Sequence, residues 1–385
     1  MSERSSSNRS LFILFSVIML DLVGFGIVVP ILPFYAEQYG AKASVMGWIL
    51  TSYSLMQFIF SSFWGRFSDR IGRKPTMLIT MAGAATGLVI LGSAHSLTMI
   101  FAGRIISGIF AANISVASAY VTDVTTEENR TRGMGLIGAA FGVGFLLGPA
   151  MGGALSRYGY AVPVFAAAGL TVLNMIYAFF RLEEPRQHRH VTDAADLVTE
   201  PSQKSVFHQP AVVKICIVNF VFTLSVTQLE SIFAFFMMDR FQFDALHVSY
   251  VLALMALVMV MIQGGLIKTL SQKFGEPVLL ISGTAITMVA FGLIPSSMTV
   301  VTLLLPLSLA ALGRGVSQPS MMSLVSKQAH HKTRGAVMGA FQSSASLGRV
   351  LGPALAGYLY DYWYPSPFYF AALMMGVVFV LALNL

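Results

Sequence analysis

Charge is what this sequence has least of. Only 11% of its 385 residues are Asp, Glu, Lys or Arg, where an ordinary soluble domain carries roughly 25%. Beside them stand 56% hydrophobic residues, more apolar surface than one compact water-soluble core can hide. A soluble enzyme on a buried parallel sheet is excluded too, because its apolar runs would be short, β-branched and alternated with charged amphipathic helices. Cysteine is nearly absent: Cys216 stands alone, so an intramolecular disulfide is impossible and a cysteine metal site is not expected. The chain also lacks His/Glu metal spacing within a helix, a Walker-type Gly-Lys-Thr/Ser loop and any soluble segment able to hydrolyse ATP. It reads as no enzyme, with no metal and no cofactor, and an ion gradient is left as the driving force. The net charge of +7 does not point to nucleic acid. Its basic residues sit in short segments between apolar stretches rather than on one face, which describes membrane orientation.

What is present is a series of long runs mixing Gly, Ala, Met and Phe. Crossing the hydrocarbon core takes about 20 helical residues. Such runs fall near 11–36, 44–65, 75–94, 97–121, 132–156 and 161–181, then near 211–238, 247–270, 277–295, 298–325, 334–359 and 366–385. The first follows a short polar start with Arg4 and Arg9 and lacks a small-residue cleavage site, so it is expected to be retained. The expected architecture is all-α and polytopic: twelve transmembrane helices in two six-helix bundles, 1–181 and 211–385. Between them lies a cytoplasmic linker, 182–210, broken by Pro185, Pro201 and Pro210, with an amphipathic piece around 194–199. With both termini inside, 18 of the 24 Lys and Arg residues fall in cytoplasmic segments, against three, Lys42, Arg157 and Arg240, outside. Arg104, Arg314 and Arg349 lie within helices.

The halves echo each other. Gly144-Phe-Leu-Leu-Gly148-Pro149-Ala-Met-Gly152-Gly153 in the fifth helix is matched by Gly348-Arg-Val-Leu-Gly352-Pro353-Ala-Leu-Ala-Gly357 in the eleventh. Gly103-Arg104 is matched by Gly313-Arg314, and the loop from Gly65 to Pro75 by a degenerate copy from Gly265 to Pro277. Two repeats in one orientation are the ground plan of an alternating-access carrier.

Four stretches carry a family resemblance. Leu20-Asp21-Leu-Val-Gly-Phe-Gly-Ile-Val-Val-Pro30-Ile-Leu-Pro33, Gly65-Arg66-Phe-Ser-Asp69-Arg70-Ile-Gly72-Arg73-Lys74, Arg104-Ile-Ile-Ser-Gly108 and the run from Gly144 to Gly153 resemble the signatures of the major facilitator superfamily. Within it they resemble the twelve-helix drug:proton antiporters that include tetracycline efflux proteins. The resemblance implies antiport of small amphipathic or drug-like molecules against protons, in a bacterial inner membrane. Proton symport of a sugar, peptide or organic anion is the alternative, in which Arg104, Arg314 and Arg349 attract an anionic substrate. The expected partners are a small-molecule substrate, protons and membrane lipids, with the monomer as the working unit.

In the loop motif, Gly65 and Gly72 permit close approach and sharp turns, and Asp69 follows a helix end where an acid caps a helix or pairs with a base. The resemblance places on Asp69 the locking of the outward-facing state. The expected cytoplasmic gate joins Asp69, Arg70, Arg73, Asp123 and Arg130, facing Arg334, with positive-inside anchoring as the simpler alternative. The small residues of the fifth helix let two helices cross closely, and Gly148-Pro149 frees a carbonyl and bends the helix. The resemblance adds a link between that run and antiport.

Away from helix ends, only Asp21 and Glu230 are carboxylates within the runs. A charge at that depth is expensive and has a functional reason by default. Asp21 lies about 15 Å of helical rise from the cytoplasmic end of its helix; it either titrates or is held ionised by Arg104. Glu230, with no basic residue within a turn of its own helix, is the preferred coupling group, against a purely hydrogen-bonded or snorkelling carboxylate. Arg349 replaces the Phe145 of the other repeat and serves as a counter-charge to substrate or Glu230, or reaches toward Asp361. Cavity candidates are Tyr53, Gln57, Asn113 and Phe141 in the first half, and Asn219, Phe220, Gln228, Phe233, Gln263, Gln318, Phe341 and Gln342 in the second. Rings and polar amides of this kind suit bulky, partly apolar ligands, although most such side chains fill helix contacts.

Overall fold

The structure, a computed structural model, describes residues 2–125, 127–185, 209–328 and 334–383, without the side chains of 2–10, 127–132, 134, 334 and 335. The amphipathic piece expected at 194–199 and most of the linker lie outside these residues. All the regular structure described is helical, and twelve helical spans follow one another. They are α1 (Leu11–Glu37), α2 (Ala43–Ile71), α3 (Arg73–Gly92), α4 (Leu97–Val124), α5 (Gly135–Ser156) and α6 (Ala161–Arg181). Then come α7 (Pro210–Phe241), α8 (Ala245–Phe274), α9 (Glu276–Ser296) and α10 (Val300–Gln328), followed by α11 (Arg334–Tyr362) and α12 (Ser366–Ala382). Ten of the described helices are long and apolar enough to cross a membrane, and α12 is a shorter apolar one. Large apolar side chains such as Phe12, Leu173, Phe180, Val301 and Leu373 are exposed. That is the arrangement lipid tolerates and water does not.

The helices overrun their apolar cores. The second run was expected to end near residue 65, yet α2 continues to Ile71, because a helix leaving the membrane keeps its backbone hydrogen bonds while its side chains turn polar. The sharp turn therefore falls at Gly72, with φ of 104°. Gly65 lies inside the helix with open space around it, so its expected role in a turn is not what the backbone shows. Asp69 sits in the last turn of α2 rather than after it. The second half turns the same way at Gly275, φ 77°.

Three spans are interrupted. α1 breaks at 29–31 beside Pro30, α4 at 110–112, and α8 contains a π segment at Ile262–Leu266. Pro149, Pro306, Pro319 and Pro353 lie inside helices.

The chain divides into two compact units. One comprises Met1–Ala41, Ser52–His188 and Gln242–Leu254; the other comprises Lys42–Thr51, Arg189–Phe241 and Met255–Leu385. The bundles expected at 1–181 and 211–385 differ from these units at two short stretches, 42–51 and 242–254, each of which counts with the unit that holds most of the opposite half.

Within the first unit α5 lies against α1 with no room for side chains. A Cβ on Gly148 would meet Gly26 Cα at 2.6 Å, one on Gly144 would meet Leu22 Cβ at 2.6 Å, and one on Gly152 would strike the Ile27 carbonyl. Gly153 fits against Ser249 and Leu246 of α8. A core of Leu14, Val17, Ile18, Met77, Met81 and Tyr120 fills the space between α1, α3 and α4. The second unit repeats the helix pairing: Gly348 and Gly352 of α11 lie against Thr223 and Thr227 of α7. Residues 42–51 pack on α11 there. Thr51 donates to the Val350 carbonyl at 2.9 Å, Trp48 to the Tyr358 hydroxyl at 3.0 Å, and the Ser44 N–H to Asp361 at 3.1 Å.

Candidate functional site

Three constellations of polar side chains emerge, two in the first unit and one in the second. The first lies at the cytoplasmic turn between α2 and α3, where Arg73 is the hub. Its Nε donates to Asp123 at 2.7 Å, and its Nη1 donates to Asp69 at 2.5 Å and to Ser68 at 2.6 Å. Of the expected gate residues, Asp69, Arg73 and Asp123 are thus brought together. Arg70 makes none of these contacts, and the side chains of Arg130 and Arg334 lie outside the described residues. Sequence reasoning missed Glu184. Its two carboxylate oxygens accept the backbone N–H groups of Arg73 at 2.6 Å and Lys74 at 2.8 Å, capping the first turn of α3 where donors have no helical partner and negative charge is favoured. A Cβ on Gly72 would stand 2.6 Å from that carboxylate, so Gly72 is required for space as well as for its backbone angle. The Tyr120 hydroxyl holds the adjacent Glu183 carbonyl at 2.7 Å. The only sequence cue was an acid pair between a helix end and Pro185, and nothing local says which acid turns back.

The degenerate second-half copy of this turn carries an ion pair of inverted polarity. Glu276, the first residue of α9, accepts from Lys327 near the end of α10 at 2.6 Å and from Ser323 at 3.0 Å, where Arg73 opens α3 and Asp123 lies near the end of α4. The Lys327 side chain is 61% exposed, and pairs of that kind contribute about 1 kcal/mol at most.

The second constellation surrounds Asp21 midway along α1. Asn113 donates to its Oδ1 at 3.0 Å, and Thr80 of α3 donates in turn to the Asn113 carbonyl oxygen at 2.5 Å. Asn113 is placed by the break in α4, which it follows directly. That break also frees carbonyls, and α2 satisfies them: Gln57 donates to Ala111 at 3.1 Å and Trp64 to Ile109 at 2.7 Å. Gln57 and Asn113 are therefore tied into the helix framework, and Trp64, absent from the sequence candidates, belongs with them. Pairing with Arg104 was one of the two roles open to Asp21. No ion pair joins them; the guanidinium lies over the Tyr53 ring, 4.0 Å from its centroid, a cation–π contact that holds a buried arginine without a carboxylate. Arg104 is only 4% exposed, and its Nε has no partner among the described residues. Beyond Tyr53 the rings continue through Phe25 at 5.8 Å, Phe145 at 6.1 Å and Phe141 at 6.2 Å. A polar chain thus ends on an aromatic wall.

The third constellation occupies the second unit. Glu230 pairs with Arg314 of α10 at 2.6 Å and interacts electrostatically with Arg349 of α11. Arg349 donates to Ser346 at 3.4 Å, and Arg314 leaves its Nε buried and unpartnered. Glu230 was preferred as an unpaired coupling carboxylate because no base lies near it on α7. The base that matters comes from another helix, which linear spacing does not display. Several cavity candidates here turn out to tie helices together. Asn219 donates to the Phe341 carbonyl at 2.8 Å, and Gln228 to the Gly352 carbonyl at 3.3 Å. Phe233 and Phe341 are buried, whereas Gln263, Gln318 and Gln342 are exposed and Phe220 is half-buried.

Comparison with known proteins agrees with this architecture. The family model described as Major Facilitator Superfamily matches residues 14–349 and 269–385. The chain is 29% identical over 360 residues to a class H tetracycline resistance protein of Pasteurella multocida, covering 92% of this chain and 90% of that one. It is 28% identical over 384 residues to multidrug resistance protein 2 of Bacillus subtilis, covering 98% and 95%. Among solved structures, the human organic anion transporter MFSD10 superposes with a TM-score of 0.73 at 25% identity, covering 98% and 99%. With twelve helices, paired glycine-lined crossings in both halves and a family match along nearly its whole length, the chain belongs to the Major Facilitator Superfamily and is a secondary transporter.

Proposed function

We propose that the protein exports small amphipathic, drug-like molecules in exchange for protons, and that Asp21 carries the proton. The names of the tetracycline and multidrug resistance relatives support the substrate class. The observation that carries the proton assignment is the unequal company of the two carboxylates. Among the described residues Asp21 is met by a neutral amide donor and pairs with no cation, so taking up a proton removes a mid-membrane charge that costs roughly 2.5–3.5 kcal/mol to insert. Glu230 instead already has a cationic partner in Arg314, and its side chain is 48% exposed, so a proton taken up there neutralises a charge that is paired and less desolvated. Antiport requires proton and substrate to exclude each other, and Asp21 stands near Tyr53 at the head of the aromatic wall, where a bound ring system would alter its surroundings.

The Arg73 cluster supplies a cytoplasmic gate in this reading, with Asp69 as the member that locks and Asp123 and Glu184 as its supports. Localisation in a bacterial inner membrane with both termini cytoplasmic, and function as a monomer, complete the proposal; the loop charge bias supports the orientation. Purified protein in liposomes with an imposed pH gradient tests it. Tetracycline should accumulate against its gradient with stoichiometric proton movement in the opposite direction. Accumulation in the same direction as the protons would establish symport and refute export.

A further inference from the structure

Among the described residues midway along the spans of the second unit, two guanidinium groups meet one carboxylate. The guanidinium groups belong to Arg314 and Arg349 and the carboxylate to Glu230, whose Oε1 is taken by Arg314 at 2.6 Å. Arg349, at the midpoint of α11, feels Glu230 electrostatically but forms no ion pair with it, and its hydrogen bond to the neutral Ser346 hydroxyl is long, 3.4 Å. The first unit shows what this fold does with an arginine that needs no anion: Arg104 is buried flat against Tyr53. Among the described residues no aromatic ring covers Arg349, and the corresponding place in the other repeat is the apolar Phe145. A guanidinium set at bilayer depth with an unpaired fork demands a counter-charge, and its planar donors match a carboxylate, enolate or sulfonate in bidentate geometry.

We propose that Arg349, flanked by the Glu230–Arg314 pair, is a subsite for the anionic group of the transported molecule, so that substrates are amphipathic organic anions or zwitterions rather than simple cations. The inference rests on the proposed transport function for its biological meaning, although the binding event does not depend on proton coupling. Glu230 competes with the ligand for the two guanidinium groups and thereby sets the affinity.

A matched pair of xanthene dyes isolates charge from shape: fluorescein, an anion at pH 7.5, and rhodamine 6G, a cation. Equilibrium binding to the full-length protein in nanodiscs is read by fluorescence anisotropy. Fluorescein should bind more tightly than rhodamine 6G. Arg349→Gln should weaken fluorescein by roughly tenfold or more, the worth of a charge-assisted hydrogen bond, and leave rhodamine 6G within about twofold. Arg349→Lys should retain an intermediate affinity, and Glu230→Gln should tighten fluorescein severalfold by releasing Arg314. Equal loss of both dyes in Arg349→Gln, or unchanged fluorescein binding, overturns the subsite, as does weaker fluorescein binding in a Glu230→Gln variant that remains monodisperse. A gradient-driven flux assay run in parallel separates the two ideas. Anion binding without proton-driven flux overturns the antiport reading alone, and flux without charge preference overturns the subsite alone.

Discussion

Replacing Gly148 with alanine adds one methyl group at the point where α5 and α1 touch. The new Cβ would stand 2.6 Å from Gly26 Cα and 2.7 Å from Gly26 C, whereas carbon atoms rest at about 3.5–4.0 Å. The neighbour is backbone on both sides, so no side chain can swing away and the helices must part by about 1 Å. Overpacking of this kind costs typically 1–3 kcal/mol. The helix preference for alanine over glycine returns about 1 kcal/mol, leaving a net destabilisation of up to about 2 kcal/mol. Gly138 is the control: it lies in the same helix with nothing within 4 Å of an added Cβ, so Gly138→Ala should be neutral or mildly stabilising. Gly159, at a helix end, would mislead as a control because its φ is 110° and any side chain strains it. The assay is thermal unfolding in detergent together with gradient-driven flux in liposomes. Gly148→Ala should lose both stability and most flux, and Gly138→Ala neither. Equal behaviour of the two variants would refute the close-crossing argument.

Other expectations follow from the cytoplasmic turn and the break in α4. Asp69→Asn should abolish net transport while leaving expression and membrane insertion intact; full activity in whole-cell efflux would remove Asp69 from the gate. Glu184→Ala should destabilise the α3 terminus by about 1 kcal/mol, the usual loss for a helix cap, and loosen Arg73. Glu184→Gln keeps an acceptor and should recover part of the flux, which a purely steric role would not do. Trp64→Phe keeps the ring and removes the donor to Ile109, so it should speed hydrogen exchange of the α4 backbone around 110–112 without altering expression.

Much of this was legible in the sequence because membranes enforce simple rules. Helix number and apolar runs followed from the length needed to span hydrocarbon, and the glycine runs announced close crossings because little else fits there. Arg73 with Asp69 and Asp123 followed from charges concentrated near one surface. What stayed hidden depended on which residues face each other across helices. Arg314 meets Glu230 although 84 positions separate them, Arg104 prefers Tyr53 to Asp21, and Glu184 turns back on α3 across 111 positions. Gln57, Asn113, Asn219 and Gln228 were expected to line a substrate cavity; each hydrogen-bonds across to another helix, because partners are scarce at bilayer depth.

The assignment of the transported proton to Asp21 is tested most directly by Asp21→Asn, which keeps the side chain's size and its acceptor toward Asn113. Liposomes containing the variant are assayed for gradient-driven accumulation and for substrate exchange with no gradient. Exchange should persist while accumulation and proton counterflow vanish; accumulation still driven by the pH gradient at the wild-type rate would contradict the account.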